Sequence, residues 1–514
     1  MCLTKEVLSF LGLIIIFYKT GCDLMGMIFD DFLEMQSRVP ENIAIVYNGK
    51  RITNRELYEK ALKVAAFIKN KDIERNSVIG IIGQKTDLSI AAILGVLFAG
   101  MTYLPIDSSY PESRIKYIID NSKVKMLLSI EFSEKLWSQN QFDISDVLKT
   151  FLPNSSVICK SSADLPCYVI YTSGSSANQP NGVMISHNSI LNTVNWRKNY
   201  YSLSPDDKIL LFSSLSFDSS VEDVFCALSS GATLVIADDF KKIDPRYISM
   251  LIKECQVTHM MLVPSVYSFF LQHIAKEVLE NLSVVILAGE DFPKSLIDLH
   301  YNKVPDVKLY NEYGPTENAV CSTCAYLKKG DDVNIGTPIS NVQVFLLNNG
   351  KISECFGELC LAGKGLSLGY INNKRLTQEK FVEWEGPEYK CVYLTGDYVQ
   401  LIDGKLVYKG RVDQLIKRNG VRVNLNEIKD ICKKKFESIT DIYVLGYDEY
   451  NNKIALFYTT TDGHSINEDA IKTYIFSKLP RYLVPSYICC LREMPLLPNY
   501  KVDYSRLKKL CPQN

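Results

Sequence analysis

An alternation of strand-like and helix-like patterns runs from Met27 to about Gly410, and it restricts the chain to layered α/β folds. Ser77–Gly83 (SVIGIIG) is a short, continuous apolar run typical of a buried strand. Thr86–Gly100 then has the pattern of a helix that ends at its glycine. The same order recurs at KILLFSSLSF, THMMLVP and SVVILAGE. Sheets covered by helices are therefore predicted.

The pattern changes after Gly410, where a second and smaller unit is predicted. A polar helical stretch (NLNEIKDICKKKF) is followed by strand-like DIYVLGYD and KIALFYTT and by a helix from NEDAIKTYIFSKLP. This order is typical of an α+β domain. We divide the chain into residues 27–410 and 411–514, with a hinge at Asp413.

Composition narrows the class of function. The 514 residues include 57 Lys+Arg and 58 Asp+Glu, a formal net charge of −1. Such a chain has no overall positive field to bind nucleic acid or an anionic membrane, which favours small-molecule chemistry. The 15 cysteines are scattered through apolar runs, which indicates a reducing, cytoplasmic location. Cys321 and Cys324 form a C-x-x-C pair without a second pair or nearby histidines, so we interpret them as core residues.

Residues 1–26 form an extra apolar segment. Val7–Tyr18 is too short to span a bilayer but has the length of a signal-peptide core. Lys5 is followed directly by Glu6, which is a poor start for such a signal. We expect an upstream start codon, with the functional chain beginning near Met27, and a secretion signal is the alternative.

The stretch Tyr168–His187 (YVIYTSGSSANQPNGVMISH) is the most informative motif. A strand pattern leads into a loop of glycines and small hydroxyl residues. Backbone N–H groups approach an anion closely only where side chains are small, so such a loop can bind phosphates. A plain connector remains the alternative from this stretch alone.

Several further motifs follow in one order. They are LFAGMTYLPID (97–107), FDSS (217–220), NEYGPTE (311–317), GELCLAGKGLSLGY (357–370), YLTGD (393–397), GRVDQLIKRNGVRV (410–423) and NYKVD (499–503). With the loop, they resemble the adenylate-forming enzymes, and the opening MIFDDFLEMQSRVPENIAIVYNGKRITNREL is similar to adenylation domains of nonribosomal peptide synthetases. The resemblance implies a large N-terminal core of α/β layers plus a β subdomain, with a small C-terminal lid.

The resemblance also implies roles for residues around ATP. Glu317 is expected to be the Mg²⁺ ligand, because a carboxylate is a hard oxygen donor. Lys501 is expected to bridge the reacting carboxylate and phosphate, Thr316 to face the α-phosphate, and Asp413 to be the hinge of a lid that rotates. The remaining implied contacts are Thr172, Ser173, Gly174, Ser175 and Ser176 in the phosphate loop, Asn311 and Tyr313 at the adenine, Asp397 at the ribose and Arg411 on the nucleotide.

Two positions depart from the family pattern. Where the family has T-G-K-P-K-G, this chain has SANQPNG, one residue longer and without either lysine. Two positive charges near the β- and γ-phosphates are therefore missing. Tyr500 also replaces the usual glycine before Lys501. The first change is expected to lower the affinity for ATP or the rate of the reaction.

The resemblance implies that Asp218 in FDSS pairs with the ammonium of an amino acid substrate, which agrees with the rule that a buried cation needs a paired anion. By resemblance the substrate pocket is lined by Asp218, Ser219, Glu222, Met261, Ile286, Ala288, Glu312, Val320, Cys321 and Lys501. Glu222 and Glu312 are unusual there, since extra carboxylates repel unless the substrate brings positive charge. This predicts a polar or basic side chain, and the alternative is that one of the two carboxylates points away or is neutral.

These observations predict ATP-dependent activation of an amino acid to aminoacyl-AMP with release of pyrophosphate. Because the sequence ends shortly after Lys501, we expect transfer to the phosphopantetheine thiol of a separate carrier protein. An acyl- or aryl-CoA ligase of the same fold is one alternative. Asp218 argues against it, because a fatty acid has no cation to pair with that carboxylate. A catalytically impaired nucleotide-binding homologue is the other, suggested by the altered phosphate loop.

Overall fold

Two large, mostly parallel sheets carry about the first two thirds of the chain. A computed structural model describes residues 26–132, 136–137, 140–152, 155–159, 162–172, 179–290, 292–384, 390–411, 415–418, 421–448, 453–461, 463–495 and 502–512. The first elements are α1 (Asp30–Arg38), β1 (Ile43–Tyr47), β2 (Lys50–Thr53), α2 (Asn54–Lys69), β3 (Val78–Gly83), α3 (Asp87–Phe98), β4 (Thr102–Asp107), α4 (Glu112–Ser122), β5 (Met126–Ile130), β6 (Gln141–Asp143), α5 (Ile144–Thr150) and β7 (Pro166–Thr172). The next are β8 (Asn181–Ser186), α6 (His187–Tyr200), β9 (Lys208–Leu211), α7 (Ser219–Ser230), β10 (Thr233–Ile236), α8 (Pro245–Cys255), β11 (His259–Leu262), α9 (Pro264–His273), α10 (Lys276–Leu279), β12 (Val284–Ala288), α11 (Lys294–Lys303), β13 (Lys308–Tyr313), β14 (Thr323–Leu327) and β15 (Thr337–Pro338).

The N-terminal sheet has the strand order β6-β5-β3-β4-β7-β8, and all its pairs are parallel except β7 with β8. The central sheet has the order β15-β14-β13-β12-β11-β9-β10-β1-β2, with a parallel block from β13 to β1 and antiparallel edges. The predicted α/β layers are thus confirmed. Parallel strands that are buried on both faces explain the nearly continuous apolar runs in the sequence.

Helix α3 fills the space between the two sheets, where Leu94 is fully buried in a cluster with Ile79 of β3 and Ile209 of β9. The helix begins where the Thr86 side chain accepts a hydrogen bond from the Leu88 N–H, 3.2 Å away. An all-round apolar surface is what a helix needs when sheets cover it on both sides.

A third sheet follows the two large ones. Its elements are β16 (Val342–Asn348), β17 (Lys351–Ile352), β18 (Phe356–Gly363), α12 (Lys374–Lys380), β19 (Phe381–Glu383), β20 (Cys391–Ile402) and β21 (Lys405–Arg411). All its strand pairs are antiparallel, in the order β17-β16-β18-β20-β19 with β21 on β20. This sheet is the β subdomain that the family resemblance implied.

The C-terminal elements form the predicted small α+β unit. They are β22 (Leu415–Arg418), β23 (Val421–Asn424), α13 (Leu425–Lys435), β24 (Ile439–Tyr447), β25 (Lys453–Thr460), α14 (Glu468–Lys478), β26 (Tyr487–Cys490) and α15 (Tyr504–Leu510). Strand β25 lies between β24, antiparallel to it, and β26, parallel to it. Asp413 lies outside the described residues, so its role as a hinge stays a prediction.

The lid contacts the core through buried polar and apolar side chains. Arg114 of α4 pairs with Glu427 of α13 at 3.6 Å, and the side chains are only 5% and 1% exposed. Burial raises the pKa of the Glu427 carboxyl, and Arg114 opposes this shift. Phe217 of the core packs on the lid's apolar cluster. Because an uncompensated buried charge is costly, each of these two groups needs the other in this orientation of the lid.

Within the described ranges, no helix combines the length and the apolar composition needed to cross a membrane.

Candidate active site

A cavity of about 560 Å³ opens where the carboxyl ends of strands from both large sheets meet. Loops after β3, β4, β9, β11, β12 and β13 form its wall, which is the usual ligand position in parallel sheets. Pro480, Arg481 and Tyr482 of the lid complete it. The lid orientation seen here therefore partly covers the cavity.

Many residues predicted from the sequence come together around this cavity. They are Thr172, Asp218, Ser219, Met261, Ala288, Glu312, Tyr313, Thr316, Glu317, Val320, Cys321 and Asp397. Three others, Glu222, Ile286 and Asn311, are buried but are not part of the lining. Ser173, Gly174, Ser175, Ser176 and Lys501 lie outside the described residues, and so does the side chain of Arg411. The roles of all these residues stay predictions.

A tight turn after β13 positions Thr316 and Glu317. A Cβ on Gly314 would lie 1.9 Å from the Val320 carbonyl oxygen, so only glycine allows the chain to pass there. Val320 has a φ of +77°, an unfavourable conformation for a β-branched residue. Strain of this kind persists only where the surroundings enforce it, and it is frequent at functional sites.

The change Gly314→Ala is expected to destabilise the protein by about 1–3 kcal/mol, because the added methyl group must displace backbone atoms. Urea unfolding monitored by tryptophan fluorescence measures this. The control is Gly350→Ala, because Gly350 has open space around it, and its φ of +75°, which Gly314 does not share, is the only source of strain there. Equal losses for the two variants would contradict the steric explanation.

Glu317 is suited to hold a divalent cation. Its side chain lies in the cavity wall and is almost fully buried, and the Tyr370 hydroxyl donates a hydrogen bond to Oε1 at 2.7 Å. This bond fixes the carboxylate in one orientation. A fixed hard oxygen ligand fits Mg²⁺, which usually takes one or two protein carboxylates and completes its shell with phosphates and water.

Asp397 places a second buried carboxylate in the cavity wall. It is buried in β20, its backbone N–H donates to Thr395 Oγ1 at 3.0 Å, and the Tyr313 hydroxyl donates to its Oδ2. Strand register places Arg411 directly opposite Asp397. A carboxylate held in this way can accept hydrogen bonds from a cis-diol such as that of a ribose.

Asp218 precedes α7 and faces the same cavity. Its Oδ1 accepts a hydrogen bond from the Ser219 N–H at 2.9 Å. Burial raises the pKa of the Asp218 carboxyl, while a hydrogen bond from Thr316 acts in the opposite direction. A positively charged ligand group beside Asp218 would stabilise its ionised form.

Arg197 of α6 is the buried residue that sequence reasoning missed. Its guanidinium lies 3.0 Å from Glu222, 3.4 Å from Asp223 and 3.8 Å from Glu312. Burial raises the pKa of the Glu222 carboxyl well above its ordinary value, and burial raises that of Asp223 to about 7. Arg197 thus supplies positive charge to Glu222 and Glu312 from within the protein, whereas the sequence predicts that charge from the substrate alone. Glu222 is buried and is not among the residues that line the cavity.

Comparison with known proteins identifies the family. The AMP-binding enzyme family matches residues 32–371, about two thirds of the chain. The chain belongs to this family. Its similarity to peptide synthetases agrees with the motifs, because it is 38% identical over 488 residues to bacitracin synthase 3 of Bacillus licheniformis and 34% identical over 492 residues to gramicidin S synthase 2 of Brevibacillus brevis.

Both alignments cover 93% of the chain but only 8% and 11% of those much longer proteins. Among solved structures, the holo form of PA1221, an NRPS protein containing adenylation and PCP domains, matches with a TM-score of 0.84 at 23% identity, covering 94% of this chain and 84% of that one. The predicted resemblance to an AMP-binding adenylation domain of the peptide-synthetase type is therefore confirmed.

Proposed function

We propose that this AMP-binding enzyme activates an α-amino acid with ATP. The observation that carries the proposal is the placement of Asp218, Thr316, Glu317 and Asp397 around one cavity. Asp218 provides an anion for the substrate ammonium. Thr316 and Glu317 provide a hydroxyl and a carboxylate beside the reacting phosphates, and Asp397 provides an acceptor for the ribose.

The reaction forms one bond and breaks one. A carboxylate oxygen of the amino acid attacks the α-phosphorus of ATP, an aminoacyl-AMP forms, and pyrophosphate leaves. Asp218 would hold the α-ammonium, and Lys501 would lie between the two reacting anions. Mg²⁺ bound at Glu317 would neutralise phosphate charge. Arg481 of the lid lines the same cavity and is exposed, so it can offset charge that the lysine-free phosphate loop does not neutralise.

The second step that we propose is transfer of the aminoacyl group to the phosphopantetheine thiol of a carrier protein, with release of AMP. It is supported by the likeness to PA1221, whose adenylation domain occurs with a PCP domain. A carrier supplied in trans stays a prediction. We also propose a polar or basic substrate side chain, because Glu312 is buried in the cavity wall.

Exchange of labelled pyrophosphate into ATP, measured with panels of amino, fatty and aryl acids, tests the proposal. We expect exchange that depends on an amino acid and on Mg²⁺. Exchange with fatty or aryl acids alone would favour a CoA ligase of the same fold. Absence of exchange with every acid would favour an impaired nucleotide-binding homologue.

A further inference from the structure

The carboxylate cluster around Arg197 carries more negative than positive charge. Glu222, Asp223 and Glu312 surround one guanidinium, and all four side chains are at most 4% exposed. Three carboxylates and one arginine leave an excess of two negative charges when all are ionised. Burying uncompensated charge is costly, so the cluster is incomplete without a further cation or bound protons.

Unused acceptor atoms show where a cation can bind. Glu312 Oε1 accepts a hydrogen bond from the Tyr201 hydroxyl at 2.6 Å, but its Oε2 and Glu222 Oε1 are buried and have no hydrogen-bond partner among the described residues. Native proteins rarely leave such atoms unpaired without a functional reason. Glu312 is part of the cavity wall, so a substrate in the cavity can reach this end of the cluster.

The spacing of the cluster's ligand atoms suits an ammonium group. One ligand atom each of Glu222, Glu312 and Cys321 lies within 4.8 Å of the others. The centre of such a triangle is at most about 2.8 Å from each corner, an ordinary hydrogen-bond distance. An ammonium group has three N–H donors for three such acceptors. A divalent cation suits the place less, because burial raises the pKa of the Cys321 thiol well above its ordinary value, whereas metals bind thiolates.

The cluster also lies at a defined position relative to Asp218. Glu222 follows Asp218 by four residues at the start of α7, and side chains at that spacing on a helix are neighbours, with Cβ atoms about 5–6 Å apart. Asp218 and the cluster can therefore bind two ammonium groups joined by a short chain. Met261 lines both the main cavity and a separate cavity of about 10 Å³ beside Arg197. Its flexible side chain can adapt to the length of the ligand.

We propose that the substrate is a diamino acid, with its α-ammonium at Asp218 and its side-chain ammonium between Glu312 and Glu222, whose carboxylates Arg197 holds in place. This inference rests on the proposed amino acid activation. Lysine and ornithine belong to this chemical class. In this arrangement Arg197 is a positioning residue and Glu312 determines specificity.

Pyrophosphate exchange with matched amino acids tests the inference. We expect lysine or ornithine to give a kcat/KM at least tenfold above that of norleucine, which has the α-ammonium of lysine but no side-chain ammonium. The change Glu312→Gln keeps an acceptor for Tyr201 and is expected to remove most of this preference while leaving the KM for ATP unchanged. Glu383→Gln, at an exposed position of β19, is the matched control and should preserve the preference.

The outcomes separate the two proposals. Wild-type preference for norleucine or another neutral amino acid would overturn the diamino acid assignment and leave amino acid activation intact. Equal losses for lysine and norleucine in Glu312→Gln would also overturn it. If the variant does not fold, the wild-type comparison of lysine with norleucine still decides. Absence of exchange with all amino acids would contradict the proposed function itself.

Discussion

Replacing Lys501 with alanine is expected to lower the rate of aminoacyl-AMP formation by about 100- to 1000-fold, the usual effect of removing one preorganised group that stabilises transition-state charge. The substrate carboxylate and the α-phosphate are both anions, so their approach is opposed until a cation lies between them. Pyrophosphate exchange at saturating ATP and amino acid measures the change. ATP binding by calorimetry should weaken far less, because the charge that Lys501 stabilises develops mainly during the reaction.

A matched control is available on the neighbouring helix. Lys509 of α15 is an exposed lysine, and Lys509→Ala should leave exchange unchanged. The pair of variants separates a specific role of Lys501 from a general effect of lost positive charge on the lid. Unaltered exchange in Lys501→Ala, with intact ATP binding, would show that another cation performs the step, and Arg481 would be the next residue to test.

The architecture could be predicted because its signals are local. The apolar run at Ser77–Gly83 became β3, and the helix expected at Thr86–Gly100 became α3, with Thr86 as its cap. Gly100 has a φ of +74°, which explains why the helix stops there. Patterns of this kind depend on nearest neighbours along the chain and on burial, and both are visible in the sequence.

Arg197 could not be predicted, because its environment is formed by residues distant in sequence. It is adjacent to Lys198, yet Lys198 pairs with Asp31 at 2.6 Å while remaining partly exposed, and Arg197 is almost fully buried. Successive residues of a helix point in different directions, and only the packing of α6 on α7 and β13 decides which cation enters the core. The family motifs located Glu312 and Glu222 but gave no sign of the guanidinium between them.

Replacing Asp218 with asparagine is expected to lower kcat/KM for the amino acid by about 30-fold or more, while ATP affinity changes little. Truncating one partner of a buried, hydrogen-bonded charge pair costs about 2–5 kcal/mol. Asparagine keeps the size of the side chain and can still accept from the Ser219 N–H, so the change removes mainly the charge. Pyrophosphate exchange at varied amino acid and varied ATP concentrations separates the two effects. Asp306→Asn, at an exposed position, is the control for a generic loss of one negative charge.

A desamino substrate makes this test specific to the contact. An acid with the same side chain but no α-ammonium, such as 6-aminohexanoic acid beside lysine, has nothing to pair with Asp218. Wild-type enzyme should therefore use it poorly, because an unpaired carboxylate remains in the cavity wall. Asp218→Asn should reduce the use of lysine strongly and the use of 6-aminohexanoic acid little, so that the preference between them narrows. If both acids lost the same factor, or if ATP binding fell in parallel, Asp218 would support the cavity's structure rather than the substrate's α-ammonium.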